Sequence, residues 1–323
     1  MRLFYMALAA IGTAAVAQAD PLRVVADIAP VHSLVAKVMG EVGAPDLLLA
    51  QSVSPHSASL RPSQARLLQE ADVIVWVGPT LTPWLDRSLD NLGGDATVLT
   101  LQNAPGLTLR APRTLAVFGE KDGHDDDHKD AHADHDDDHT HAHDHAHEGE
   151  GIDPHIWLDP ENALILLDYI AGWLADLDAQ HADTYRANAA QAKAVLSTHL
   201  DALSARLTPL ADRPFVVYHD AFQYFETQFG LSVLGALAGS DAVAPSAARL
   251  VELRASLPAT GKVCVFAEPQ FDPKLITALQ DSADMRSAVL DPLGSTFDLG
   301  PALYDALMDD MATQIEDCLT PKS

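Results

Sequence analysis

Short apolar runs alternate with amphipathic segments along this chain, and they do so in two separate series. In the first series, LRVVADI, DLLLAQSV, VIVWVG and TVLTL have the composition of buried strands, while PVHSLVAKVMG and RPSQARLLQEA have helical spacing. After residue 208, the runs FVVYHD, SVLGAL, KVCVFAE and SAVLDPLG alternate with the helical segments SAARLVELRASL and DPKLITALQDS. Strands that alternate with helices predict parallel sheets covered by helices. The expected fold is therefore α/β with two lobes, each a small parallel sheet flanked by helices.

A block of helical sequence separates the two series. It consists of PENALILLDYIAGWLADLDAQ and HADTYRANAAQAKAVLSTHLDALSARL, and the second part contains neither glycine nor proline. One apolar face is expected from the leucines that recur there at steps of three and four residues, Leu196, Leu200, Leu203 and Leu207. A helix of about 25 residues would be roughly 40 Å long, so we expect a rigid connection and limited motion. The expected division is an N-terminal lobe at residues 20–181, a linking helix at 182–207 and a C-terminal lobe at 208–323.

The first 19 residues have the three parts of a secretory signal peptide. Arg2 supplies a positive charge, residues 3–16 form a short apolar run, and residues 17–19, Ala-Gln-Ala, form a small-x-small cleavage site. A membrane anchor is the alternative, but the run is short for a span of about 20 residues. We expect cleavage before Asp20 and export of a soluble protein to the periplasm of a Gram-negative bacterium.

The chain is strongly acidic. Its 20 lysines and arginines against 46 aspartates and glutamates give a formal net charge of −26 at pH 7. Phosphate-rich partners are repelled by such a charge, whereas cations are attracted. The composition therefore argues against nucleic acid and anionic membrane surfaces as partners.

Two cysteines, Cys264 and Cys318, are present. In an oxidising compartment an isolated pair is most simply one disulfide, which here would tie the C-terminus back to a strand. The alternative, a pair of metal thiolates, lacks a CxxC spacing. We predict the disulfide.

Three histidines follow strand-like runs directly. His56 comes after DLLLAQSVSP, His155 lies in GIDPHIWLDPENA, and His219 ends FVVYH. Ligands of open α/β sheets bind beyond the carboxyl ends of the strands, and three neutral imidazoles leave one position of a tetrahedral Zn²⁺ open for water or a carboxylate. The alternative for each is a hydrogen-bonded loop histidine. Surface or capping roles are expected for the three histidines on helical patterns, His32, His181 and His199.

Four motifs occur in the order SPHSASLRPS, DPHIWLDPENA, VYHDAFQYF and VLDPLG. Together they resemble the cluster A-I metal-binding proteins that serve ABC importers of zinc and manganese, and the match spans essentially the whole mature chain. A histidine-rich insertion between the first two motifs is typical of the zinc-specific branch. The resemblance implies two α/β lobes joined by a rigid helix, with the metal in the cleft between them. It maps the metal ligands onto His56, His155 and His219.

The resemblance leaves the fourth ligand open. Some zinc proteins of the family have an acidic residue immediately before the first histidine, but this chain has Pro55 there. Asp291 in VLDPLG matches the aspartate that other members use, and its alternative role is a turn residue before Pro292. Water is the third possibility. Glu268 in VFAEPQF also follows a strand, and we predict that it orients an imidazole from behind.

The ligand types favour zinc over manganese. Members of the manganese branch commonly have a glutamate as third ligand, whereas this chain has His219, and imidazole suits zinc. The resemblance thus implies a periplasmic high-affinity Zn²⁺-binding protein, a monomer without enzymatic activity, that delivers zinc to an ABC permease in the inner membrane. The alternatives are a zinc-dependent hydrolase with Glu268 as general base, a manganese-specific relative, and a zinc-buffering protein. No HExxH motif supports the hydrolase.

An acidic, histidine-rich segment occupies residues 120–151. It contains nine of the fifteen histidines, His124, His128, His132, His135, His139, His141, His143, His145 and His147. Its like charges and scarcity of large apolar residues predict a loop that is disordered without metal. Because no fixed third ligand accompanies any pair, we expect several weak sites. Our hypothesis is an auxiliary loop that gathers zinc for the cleft or senses its supply; a solvated acidic linker is the alternative.

Overall fold

The computed structural model describes residues 21–113, 151–238, 251, 255, 263–271 and 285–320. Two four-stranded sheets are present, and all their strand pairs are parallel. Helices flank both sheets, so the predicted α/β class with two sheets is confirmed. Within the described ranges, no helix is long and apolar enough to cross a membrane. The predicted signal peptide and the nine histidines of residues 124–147 lie outside the described residues.

The N-terminal sheet has the strand order β2-β1-β3-β4. Its strands are β1 (Val24–Ala26), β2 (Asp46–Leu47), β3 (Val73–Trp76) and β4 (Thr97–Thr100). Its helices are α1 (Ala29–Met39), α2 (Pro62–Glu70) and α3 (Pro83–Leu92). Every residue of β1 and β3 is buried, because central strands of a parallel sheet are covered on both faces.

The run DLLLAQSV forms a shorter strand than its composition predicts. Only Asp46 and Leu47 belong to β2, although Leu49 still donates its N–H to the carbonyl oxygen of Asp27 at 3.1 Å. A turn then begins, in which the N–H of Val53 bonds to the carbonyl of Ala50 at 2.9 Å. This early end of the edge strand leaves the segment that carries His56 as a loop.

The C-terminal sheet has the strand order β6-β5-β7-β8. Its strands are β5 (Phe215–His219), β6 (Val233–Ala238), β7 (Cys264–Ala267) and β8 (Arg286–Val289), and helix α6 (Gln223–Phe229) follows β5. All five residues of β5 are buried. The last of them, His219, therefore stands at the carboxyl edge in the middle of the sheet.

Three longer helices connect the sheets, α4 (Pro160–Leu177), α5 (Ala182–Leu207) and α7 (Leu303–Leu319). Helix α5 has 26 residues, about 39 Å at 1.5 Å per residue, and buries the four leucines expected to form its apolar face. Helix α7 returns to the N-terminal lobe, where the N–H of Tyr304 donates to Ser33 Oγ at 3.0 Å and Lys37 pairs with Asp305 at 2.7 Å. One continuous apolar core extends from Val24 to Leu319.

The two cysteines form the predicted disulfide. Cys264 on β7 is bonded to Cys318 near the end of α7, and both residues are buried. The bond therefore fixes the C-terminal helix to the second sheet.

Candidate metal centre

Three imidazoles from separate parts of the chain converge on one point. His56, His155 and His219 each offer a ring nitrogen, and these atoms lie within 4.8 Å of one another. The Nε2 atom of His155 is 3.3 Å from Nε2 of His56 and 3.4 Å from Nε2 of His219. A tetrahedral Zn²⁺ with Zn–N bonds of about 2.0–2.1 Å separates its nitrogen ligands by roughly 3.3 Å. The spacing therefore matches two edges of such a coordination polyhedron.

The three histidines come from three different places in the fold. His219 is the last residue of the central strand β5, His155 directly precedes the 3₁₀ turn Ile156–Leu158 that leads into α4, and His56 lies on the loop between β2 and α2. His155 and His219 are buried, whereas His56 is partly exposed. The cluster thus combines two ligands that the core holds with one that faces the cleft opening.

Glu268 holds the ring of His219 from behind. Its Oε1 atom lies 2.6 Å from Nδ1 of His219 and also accepts the backbone N–H of His219 at 3.2 Å. The glutamate follows β7 immediately, and β7 pairs with β5, so the carboxylate and the imidazole share one edge of the sheet. A carboxylate on Nδ1 places the proton on that nitrogen and leaves Nε2 with a free lone pair for a metal.

Asp153 plays the same part for His155, and the sequence interpretation missed it. Its Oδ1 atom lies 2.7 Å from Nδ1 of His155 and accepts the backbone N–H at 3.0 Å. Burial raises the pKa of the Asp153 carboxyl to about 7. Burial, together with the charge of His219, holds the pKa of His155 well below its ordinary value. The His155 ring is therefore neutral at pH 7, which is the protonation state that binds metal. The Asp-Pro-His order could have signalled this contact.

Contacts to the backbone fix the loop that carries His56. The indole Nε1–H of Trp84 donates to the carbonyl oxygen of Pro55 at 2.8 Å. The Gln51 amide donates across the cleft to the carbonyl oxygens of Gly294 and Phe297 at 3.0 and 2.9 Å. The sequence did not reveal the roles of Trp84 and Gln51, because both bind backbone carbonyl oxygens, which every residue has.

Asp291 is buried, but the structure does not bring it into the histidine cluster of the described residues. Its carboxylate accepts hydrogen bonds from the N–H of Leu293 at 3.0 Å, from the N–H and hydroxyl of Ser295, and from Nε2 of Gln270 at 3.3 Å. These are the contacts of a turn aspartate before a proline, which is one of the two roles considered for it.

The three histidines line one cleft. Its walls are mostly apolar and include Pro55, Trp157, Phe271, Pro292 and Leu293. The His155 ring lies 5.4 Å from that of Trp157, measured between centroids, and the His219 ring lies 5.6 Å from that of Phe271. The imidazoles are thus set among apolar and aromatic side chains.

A buried ion cluster adjoins the site on the side of His219. The Arg113 guanidinium pairs with Asp220, which follows His219 directly, and with Glu226 on α6. Its Nε atom is 3.0 Å from Oδ2 of Asp220. Burial raises the pKa of Glu226 to about 7, against the opposing effect of the Arg113 charge. These ion pairs connect Arg113, at the end of the first described range, to the second lobe.

Three other histidines do not join the site. The ring of His32 is buried in α1, with Nε2 2.9 Å from the carbonyl oxygen of Pro45, so the expected surface or capping role was wrong for it. The His32 ring can be buried in the core because the carbonyl oxygen of Pro45 provides a hydrogen-bond partner for it. His181 immediately precedes α5 and contacts Asp178 at 2.7 Å. His199 Nε2 lies 3.0 Å from Asp309.

The chain was compared with known proteins. Residues 24–318 match the family described as ZnuA, zinc-uptake complex component A, periplasmic. A Paracoccus denitrificans protein named high-affinity zinc uptake system protein ZnuA is 46% identical over 313 residues, which cover 96% of each chain. A Brucella suis protein of the same name is 43% identical over 305 residues, which cover 92% of this chain and 91% of its own.

Solved structures show the same fold. One described as a crystal structure of ZnuA superposes with a TM-score of 0.73 at 24% identity, covering 93% of this chain and 100% of its own. A zinc-bound deletion mutant of ZnuA superposes with a TM-score of 0.72 at 24% identity, covering 94% of this chain and 100% of its own. The family match over nearly the whole chain and the identity to these two relatives lead to one conclusion: this chain belongs to the ZnuA family of periplasmic zinc-uptake components.

Proposed function

We propose that this protein captures one Zn²⁺ ion in the cleft between its lobes, with the Nε2 atoms of His56, His155 and His219 as ligands, and delivers the ion to an ABC-type importer. The observation that carries the proposal is the spacing of these nitrogens, 3.3 and 3.4 Å for the two pairs that include His155. A ring nitrogen that is not protonated offers a lone pair to a metal ion. A tetrahedral zinc ion fits that spacing.

Membership of the ZnuA family supports the cargo and the class of protein. Relatives over most of the chain are named high-affinity zinc uptake system proteins, so the protein acts as a binding component of zinc uptake and not as an enzyme. The donor set agrees with zinc, because three imidazoles suit it better than the carboxylate-rich sites that manganese prefers. We propose water as the fourth ligand, since the Asp291 carboxylate is occupied by donors of its own turn.

Carboxylates behind two of the ligands support tight binding. Asp153 and Glu268 hold the rings of His155 and His219 through Nδ1, so little rotational freedom remains to be lost when the ion enters. Glu268 thus orients an imidazole rather than acting as a base on a substrate.

The proposal also covers the processing, the location and the partner of the protein. The chain is cleaved before Asp20, works in the periplasm as a monomer with the lobe boundaries at residues 181–182 and 207–208, and docks on a permease of the inner membrane. Residues 120–151 serve as an auxiliary zinc-collecting loop through the nine histidines from His124 to His147. The description of the family as periplasmic supports the location.

A competition titration with a zinc chelator tests the proposal. The mature chain without residues 123–151 is compared with the same chain carrying His219→Ala, and with His181→Ala as the control histidine outside the cleft. We expect one tight zinc site in the parent and in His181→Ala, and a strongly weakened site in His219→Ala. Loss of tight binding on deletion of residues 123–151 alone would instead place the main site in the histidine-rich segment.

A further inference from the structure

Gln270 lines the metal cleft together with the three histidines. It belongs to the turn that follows β7, in which the N–H of Phe271 donates to the carbonyl oxygen of Glu268 at 3.2 Å. Pro269 occupies the second position of this turn, where a fixed φ is favourable. The turn carries two polar side chains to the cleft: Glu268 supports His219 from behind, and Gln270 lines the same cleft.

The orientation of the Gln270 amide follows from its neighbour. Its Nε2 atom donates to Oδ1 of Asp291 at 3.3 Å. The same carboxylate accepts hydrogen bonds from Leu293 and Ser295, so it acts as an acceptor only. The reverse orientation would bring the amide oxygen against a carboxylate oxygen, which is repulsive. Asp291 therefore directs Oε1 of Gln270 away from itself.

That oxygen is buried and has no hydrogen-bond partner among the described residues. A buried acceptor without a donor is unfavourable, and the two apolar residues that form the nearby wall, Pro292 and Leu293, place no donor group of their side chains in the cleft. A partner that arrives with the ligand would satisfy it. Water bound to zinc is such a donor, because the metal polarises both of its O–H bonds.

We propose that Oε1 of Gln270 accepts a hydrogen bond from the water molecule that completes the coordination of Zn²⁺ by His56, His155 and His219. This inference rests on the proposed function. Gln270 is a positioning residue for the fourth ligand, and Asp291 acts on the metal only through it. The arrangement explains how an aspartate at the family's ligand position can serve the site without touching the ion.

The choice of a neutral amide has a consequence for the metal. A carboxylate in direct contact would add a negative charge and a hard ligand, which favours manganese over zinc. An amide that holds water leaves the ligand set neutral and the fourth ligand exchangeable. The water should therefore yield to small anions, and more readily when its hydrogen bond to Gln270 is absent.

The test compares the full mature chain with Gln270→Leu and with Gln64→Leu as control. Gln64 is also partly buried, but both ends of its amide are paired, with Leu48 and Arg61, and it does not line the cleft. Zinc affinity is measured by chelator competition. Azide is then titrated into the Co²⁺-loaded proteins, and the d–d absorption bands report its binding to the metal.

We expect the zinc Kd of Gln270→Leu to rise about three- to tenfold, as for the loss of one hydrogen bond, and azide to bind its Co²⁺ site more tightly by a similar factor. Gln64→Leu should match the parent in both measurements. Unchanged azide affinity in Gln270→Leu would overturn the inference, and so would a parent Co²⁺ site that azide does not enter, because it would lack exchangeable water.

Two further measurements separate other causes of these results. Thermal unfolding of the metal-free variants checks the fold, and Gln270→Met, which keeps the shape of the side chain, replaces the leucine variant if that one unfolds; the expectations for it are the same. Failure of the parent itself to bind one tight zinc would contradict the proposed function. A parent that binds zinc while Gln270 substitutions change neither Kd nor azide affinity would contradict only the role of Gln270.

Discussion

Glu268→Gln should weaken zinc binding without disturbing the fold. In the proposed zinc complex His219 coordinates through Nε2, so its Nδ1–H becomes a stronger donor and faces the Glu268 carboxylate 2.6 Å away. The glutamine side chain has the same shape and can still accept that N–H and the backbone N–H of His219. The substitution therefore removes the charge of the acceptor and little else.

The magnitude follows from the two kinds of hydrogen bond. A hydrogen bond to a charged group contributes about 1.5–3 kcal/mol, and a neutral one about 0.5–1.5 kcal/mol. The difference is roughly 1–1.5 kcal/mol, which corresponds to a Kd about five- to twelvefold higher. Because Glu268 is almost fully buried, at 3% exposure, solvent screening should reduce this effect only slightly.

Zinc affinity is measured by chelator competition at pH 7.5, beside thermal unfolding of the metal-free proteins. Glu226→Gln is the matched control, since Glu226 is also buried and loses its charge, but it contacts Arg113 and no imidazole. We expect Glu226→Gln to alter stability and to leave the zinc Kd within about twofold of the parent. Equal losses of affinity in both variants would refute the reasoning, because the effect would then come from general electrostatics of the lobe.

Three further predictions follow from other contacts. Zinc bound to Nε2 of His155 requires Nδ1–H to face an ionised Asp153, and burial raises the pKa of that carboxyl to about 7. Protons therefore compete with zinc, and the zinc affinity should fall as the pH drops below about 7. Asp153→Asn should remove the proton that Asp153 releases on zinc binding, which calorimetry in two buffers detects. Replacing Cys264 and Cys318 by alanine opens a 54-residue loop and should lower the free energy of unfolding by about 4 kcal/mol in urea titrations; a loss below about 1 kcal/mol would contradict this. Asp291→Ala should destabilise the turn but raise the zinc Kd no more than Gln270→Leu does, and a much larger loss would indicate direct coordination.

The central strands and His219 could be predicted from the sequence for one physical reason. Central strands of a covered parallel sheet must be apolar throughout, which makes runs such as the one ending at His219 conspicuous. The carboxyl ends of parallel strands meet at one edge, so polar residues directly after such runs come together. His56 and His155 do not follow strands in the structure: a loop beyond the early end of β2 carries His56, and His155 precedes a 3₁₀ turn. The resemblance of their motifs, and not a strand end, identified these two.

The supporting residues were harder to predict, because their roles depend on conformation and not on residue type. Asp291 had two roles compatible with its motif, and only the positions of Ser295 and Leu293 distinguish them. Gln270 carries no signal at all, since its proposed role depends on which end of its amide contacts Asp291. The early end of edge strand β2 at Leu47 was not predicted, because an apolar run does not show where strand pairing stops.

Charge balance links these supporting contacts to the proposed cargo. In the proposed complex, three neutral imidazoles and a water leave the two positive charges of Zn²⁺ uncompensated among the ligands. Asp153 and Glu268 stand one hydrogen bond behind His155 and His219, and together they can carry two negative charges into a buried site. Compensation at that distance stabilises the ion less than direct carboxylate contact would, because Coulomb energy falls with separation. Such an arrangement suits a protein that must both bind zinc and release it, because the charge is compensated without a charged ligand on the ion.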